Sequence, residues 1–218
     1  MEKDTICAIA TPPGISGIGI VRMSGPGTCA LLGRIFLPKR PAPVEKWPSH
    51  SVRYGHVVRG TAVIDETLVT LMRAPRTYTR EDMAEIGCHG GLAALRKVLA
   101  LCVEQGCRLA QPGEFTRRAF LNGRIDLAQA ESVLGVILAQ TEKSLELSLN
   151  QLAGSFSTRM NALRRDLRSI SAEIEGIIDF SEDHGFDRSM PHVRQRLDRL
   201  LGETGTLLDA GKRARVFA

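Results

Sequence analysis

Aromatic side chains are scarce in this sequence: one Trp, two Tyr and seven Phe among 218 residues. Rows of stacking faces for unpaired bases are therefore scarce too, which counts against sequence-tolerant binding of single-stranded nucleic acid. Cysteines number five (Cys7, Cys29, Cys88, Cys102 and Cys107), an odd count with no C-x-x-C spacing. That pattern argues against a disulfide framework and a zinc site, and for a reducing compartment. No apolar run approaches the length that crosses a bilayer, and the opening Met1–Asp4 has no hydrophobic signal region. The expectation is a soluble, cytoplasmic protein without membrane attachment. Blocks of one charge sign are absent as well. The formal charge is +5, yet cations such as Arg164, Arg165 and Arg168 are interleaved with acids, as on a solvated helix face. Net charge permits an anionic partner and does not demand one.

What is present is ordinary globular material, 43% hydrophobic and 24% charged. The length suits two cores, or one core with an extension. Up to about residue 120 the chain is written in short apolar runs punctuated by Gly and Pro. Thr5–Thr11, Gly17–Met23, Ser51–Val58, Glu66–Met72 and Met83–His89 read as strands, and Thr28–Phe36 and Gly91–Gln105 as helices. Pro38–Pro48 reads as a surface loop. These imply an α+β domain over residues 1–120, a mixed sheet with helices packed on it.

Over residues 121–218 the period changes. Apolar residues recur every three or four positions from Leu145 to Ile177, a single stripe that predicts one long helix with weak points only at Gly154 and Gly176. At 1.5 Å per residue it would be on the order of 50 Å long. Val193, Leu197, Leu200, Leu201, Leu207 and Leu208 supply a returning partner after a turn at Asp179–Gly185, giving an antiparallel all-α arm. Helices with one stripe each leave an apolar face for further helices to cover. The ending Arg215–Ala218 reads like the opening of a strand, so the C-terminus is expected to be a cut in a longer chain.

Three stretches are more specific than packing requires. In Asp4–Gly14 and Gly17–Gly25 the glycines join two strands and open no helix, so they do not form a dinucleotide fingerprint. Arg22 lies in the second of these strands, and a buried Arg needs an anionic partner, either an internal acid or a ligand. In Glu81–Gly91 the alternation puts Glu85 and His89 on one strand face. Glu85 there could accept paired N–H donors of an aminopyrimidinone ring, or pair with a neighbouring Arg; His89 could be a satisfied core histidine. No second His stands at ligand spacing, so no metal site is expected. In Gln111–Glu131 a short helix stops at Asn122–Gly123 and another starts after Asp126. Arg124 sits at this joint of the two halves, where small-ligand sites often lie. Gly205–Lys212 only mimics a phosphate loop: it has five residues where four are needed, and Arg213 replaces the Ser or Thr. No other stretch binds nucleotide by motif, so the chain by itself is not expected to bind GTP.

Taken together, Asp4-Thr5, Ala10–Gly14, the glycines before Arg22, Glu81-Asp82 with Glu85, His89–Gly91, Pro112–Phe115, Arg118–Gly123, Asp126–Glu131 and Ile178–Phe180 resemble the N-terminal part of the MnmE (TrmE) family of tRNA-modification GTPases. The resemblance implies a folate-binding, aminomethyltransferase-like domain that also forms a homodimer, then the first half of a helical domain, cut before a GTPase domain that uses GTP, magnesium and potassium. It implies 5-formyl- or 5,10-methylene-tetrahydrofolate as cofactor, held by Arg22, Glu85 and Arg124. Many members carry Lys at this last position, which keeps the cation but not its planar fork. It implies, for the whole protein, addition of an aminomethyl-type group to C5 of the wobble uridine of tRNA with a flavin-dependent partner of the GidA/MnmG family. A free-standing folate-binding aminomethyltransferase-like protein is the alternative, although that family has no long helical arm.

Overall fold

The computed structural model describes residues 4–179 and 186–214. The chain divides into two compact units, Met1–Ile125 and Asp126–Ala218.

In the first unit, β-branched and alternating segments become β1 (Ile6–Ile9), β2 (Ile18–Ser24), β3 (Phe36–Pro38), β4 (Ser51–Arg59), β5 (Ala62–Met72), β6 (Met83–His89) and β7 (Arg108–Leu109). They form one sheet in the order β3-β4-β5-β6-β2-β1-β7. Every pairing is antiparallel except β1 with β7, so the sheet is mixed, as expected. The short edge strands β3 and β7 and the early start of β5 were not legible in the sequence. A turn at Gly60, with φ of 60°, closes the β4–β5 hairpin before the apolar stretch begins.

Two helices, α1 (Thr28–Ile35) and α2 (Leu92–Glu104), follow strand ends with their apolar sides inward. Leu31, Leu32 and Ile35 from α1 and Leu95, Val98 and Leu101 from α2 join Val21, Met23, Val57, Val69, Leu71 and Ile86 in one core. The helices cover this face of the sheet. Alternation leaves the other face open: Ile18, Val52, Tyr54 and Leu68 are among its exposed apolar side chains. A short helix, α3 (Glu114–Leu121), ends at Asn122 and Gly123, the latter with φ of 69°, where glycine is the low-strain choice.

The second unit is all helical: α4 (Leu127–Leu138), α5 (Glu142–Leu152), α6 (Ser155–Asp179) and α7 (Phe186–Ala214). Asp126 caps α4 and Thr141 caps α5, each in a capping box. The single helix expected from Leu145 to Ile177 is in fact two. Gly154 stands between them with φ of 88°, and its N–H bonds to the Gln151 carbonyl. The stripe persists because both helices are amphipathic, but a left-handed glycine ends α5 and lets it pack on α4. Gln129 on α4 donates to the Leu152 carbonyl at 2.8 Å and fixes that return.

Along α6 and α7, Leu163, Ile170, Val193 and Leu200 make a small core flanked by Ile174, Ile177, Leu197 and Leu207. Glu173 accepts from Arg196 at 2.7 Å across the pair. Leu149, Phe156, Met160 and Leu167 of the stripe and Leu201 and Leu208 of the returning helix remain exposed, the uncovered apolar side that the stripe implied. Gly205–Lys212 lies inside α7, so it forms a helix and no phosphate loop. The turn expected after Asp179 and the strand expected at 215–218 lie outside the described residues.

Candidate functional site

Strand register places the first two candidate residues together. Arg22 on β2 is the direct partner of Glu85 on β6, which in turn faces Thr70 on β5. Arg22 donates through Nε at 2.8 Å to Glu85 Oε1, and its Nη2 lies 2.7 Å from the same oxygen. Both side chains are about a third exposed, on the open face of the sheet. The anionic partner that a strand Arg requires is thus an internal acid. A carboxylate has about four acceptor sites, and among the described residues no donor reaches Glu85 Oε2. The pair therefore still presents an acceptor edge to whatever lies on the sheet.

Helix α3 joins this pair to the third candidate. Phe115 lies under the Arg22 guanidinium, 5.7 Å from ring centroid to Cζ. The next residue, Thr116, hydrogen-bonds the Tyr78 hydroxyl at 2.8 Å. Tyr78 in turn carries the Arg124 guanidinium over its ring at 4.8 Å. Such cation–π contacts hold a guanidinium in place while leaving its N–H donors free. Arg124 lines a depression of about 490 Å³ with His50, Met72, Tyr78, Arg76 and Arg80. Met72 is two residues beyond Thr70 on β5, so this depression begins about 7 Å along the sheet from the Glu85 row.

The position of α3 depends on an ion network that the sequence did not announce. Glu114, with a side chain 1% exposed, accepts from Arg108 at 2.6 and 3.0 Å, from Arg118 at 3.2 Å and from the Gln111 N–H at 2.7 Å. Arg118 also bonds Asp4 at 2.6 Å and Glu81 at 3.2 Å, and Ser24 donates to Glu81 at 2.7 Å. The paired Arg108 guanidinium, with the backbone donor, holds the Glu114 carboxyl down to about 2 despite its burial. Burial raises the Asp4 carboxyl, but the bonds from Arg108 and Arg118 outweigh it and leave it below the usual range. Asp4, Glu81, Glu114 and Arg118 had stood out only as conspicuous motif residues. Their role here is to clamp α3 to β1, β7 and the segment before β6. Asp4 stands more than a hundred positions from Arg118, and Glu81 stands 37 from it; such separations give no periodic signal, which is why spacing could not find the clamp.

His89 shares the strand face of Glu85, as alternation requires, but it is no core histidine: its side chain is 69% exposed. Asp65 accepts from the His89 N–H at 2.9 Å and meets Nδ1 at 2.6 Å, and this bond raises the imidazole pKa. Cys88 and Cys102 are buried, and burial pushes each thiol up to about 12, far from a usable thiolate. No group of three potential metal ligands occurs among the described residues. No described helix is long and apolar enough to cross a membrane. Among the described residues the arrangement offers one carboxylate with a free acceptor edge and, along the sheet from it, Arg76, Arg80 and Arg124 without an ion pair.

Comparison with known proteins places both units. The model of the GTP-binding protein TrmE N-terminus matches residues 5–124, and that of the MnmE helical domain matches residues 127–218. The chain is 47% identical over 220 residues to the tRNA modification GTPase MnmE of Carboxydothermus hydrogenoformans, covering 100% of this chain and 48% of that protein. It is 49% identical over 183 residues to the same-named protein of Lactiplantibacillus plantarum, covering 83% of this chain and 39% of that one. With Latilactobacillus sakei the identity is 42% over 218 residues, covering 99% and 46%. The chain thus spans about half the length of such relatives.

Proposed function

The chain belongs to the MnmE (TrmE) family of tRNA modification GTPases, and from that membership we propose that its first unit holds a reduced one-carbon folate, 5-formyl- or 5,10-methylene-tetrahydrofolate, on the open face of the sheet. The observation that carries the reading is the Arg22–Glu85 pair, about a third exposed and with Oε2 uncommitted, tied through Phe115, Thr116 and Tyr78 to Arg124. A carboxylate fits the adjacent ring N–H and 2-amino donors of a pterin, with both hydrogen bonds charge-assisted. Arg22 holds Glu85 in its ionised form and in one orientation, and the cations beside Tyr78 suit the anionic end of the same molecule. When bound, the folate would supply the one-carbon unit; the protein's own residues bind and orient it.

For the whole family protein we propose GTP hydrolysis with magnesium and potassium, in a part of the relatives beyond the length matched here. The same reading takes tRNA as substrate, with an aminomethyl-type group added at C5 of the wobble uridine in the cytoplasm alongside a flavin-dependent GidA/MnmG-type partner. The first unit would also pair with a second copy. Support for this comes from the exposed Ile18, Val52, Tyr54 and Leu68 on the sheet, an apolar surface of the kind that marks an interface. The match of residues 127–218 to the helical domain favours this reading over a free-standing aminomethyltransferase-like protein. Calorimetric titration of the purified chain with 5-formyltetrahydrofolate tests the folate site. Saturable binding is expected, and a titration without heat or displacement by a fluorescent folate would retire the proposal.

A further inference from the structure

The depression around Arg124 carries more positive charge than one ring substituent requires. Three arginines, Arg76, Arg80 and Arg124, line it, and no Asp or Glu does. Among the described residues none of the three arginines makes an ion pair: Arg124 rests on Tyr78, and Arg80 donates only to the Asn122 carbonyl at 3.1 Å. All three are exposed and line the same open basin. Two of the lining residues, His50 and Arg80, have φ of 59° and 60°, the non-glycine residues in the left-handed region among those described. Such backbone outliers concentrate where function over-determines the chain.

A single phosphate or carboxylate would use one arginine fork and leave the others idle. A flexible chain of separated carboxylates would use all of them, each through a planar guanidinium fork. The basin begins at Met72, one residue pair along the same open face from the Glu85 row. We propose that this basin is a subsite for a γ-linked oligoglutamate tail, so that the protein selects polyglutamylated over monoglutamylated reduced folate. The proposal rests on the folate reading above. It assigns the pterin to the Arg22–Glu85 row and the successive tail carboxylates to Arg124, Arg80 and Arg76.

The test compares the full chain's affinity for monoglutamyl and pentaglutamyl 5-formyltetrahydrofolate at low salt. Each added carboxylate meets an exposed cation, so the preference expected is about tenfold for the longer tail. It should shrink as ionic strength rises. The Arg76→Ala/Arg80→Ala double variant should bring the affinity ratio close to one, whereas Arg76→Lys/Arg80→Lys should keep part of it. Equal affinity of the unaltered chain for the two forms would overturn this inference and leave the folate reading standing. Absence of binding by either form would sink both. A tail preference that survives the double alanine variant, with tRNA binding lost instead, would also overturn it and assign the basin to RNA phosphates.

Discussion

Replacing Glu114 by Gln should destabilise the first unit strongly at neutral pH and far less in acid. The substitution keeps the shape of the side chain but removes the charge that Arg108 and Arg118 share, in a position only 1% exposed. Removing one member of a buried ion pair costs about 3–5 kcal/mol because the partner charges are left uncompensated. The carboxyl itself gives an independent figure. Its fall from 4.5 to about 2 on folding corresponds to about 3 kcal/mol at 1.36 kcal/mol per unit. The two agree in size. A folded-state value below the unfolded one means the stabilisation is complete above pH 4.5 and disappears as pH falls through about 2. At pH 3 roughly half or less of it should remain. Scanning calorimetry of the two proteins should therefore show a Tm gap on the order of 10 °C at pH 7, narrowing clearly at pH 3. Equal Tm values at pH 7, or a gap that does not change with pH, would refute the ion network as the clamp of α3.

Three further outcomes follow from other parts of the structure. His89 should titrate above the ordinary histidine range in an NMR pH series, and Asp65→Asn should return it toward 6.5; the stabilisation this pair gives is present below 6.5 and lost as pH rises through the elevated value. Gly154→Ala should cost about 1 kcal/mol or more in urea unfolding, because φ of 88° is unfavourable for a residue with a Cβ; a gain in stability would mean that α5 and α6 run on as one helix. In sedimentation equilibrium the unaltered chain should have the mass of a dimer, and Leu68→Glu should shift it to monomer with its circular dichroism unchanged; a dimer that tolerates the charge would move the interface off the open sheet face.

Legibility in the sequence followed the range of the interactions. Strands β2, β4 and β6 and helices α1 and α2 were readable because alternation and the 3.6-residue period are local and each buries one face in one core. The two-residue β7 was not, since it exists only through pairing with β1. Gly154 was visible as a weak point, but whether a glycine continues a helix or ends it depends on a partner surface such as α4, which the periodicity does not contain. At the candidate site, alternation put Glu85 and His89 on one face, and both readings offered for Arg22 turned on an anion. That the anion would be Glu85 itself depended on the register of β2 against β6. The Asp4–Arg118 and Arg108–Glu114 contacts and the basin under Tyr78 are products of tertiary packing, with no signature along the chain.

Isothermal titration of 5-formyltetrahydrofolate into the unaltered chain and into Glu85→Gln decides whether Glu85 receives the ring of a reduced folate with Arg22 beside it. The variant keeps the side chain's size but sets a donor against a donor. Loss of a charge-assisted contact of about 2–3 kcal/mol should weaken binding about 30- to 150-fold, with the fold intact by circular dichroism. Equal affinity of the two proteins, with both folded, would contradict the assignment and place the ligand elsewhere on the molecule.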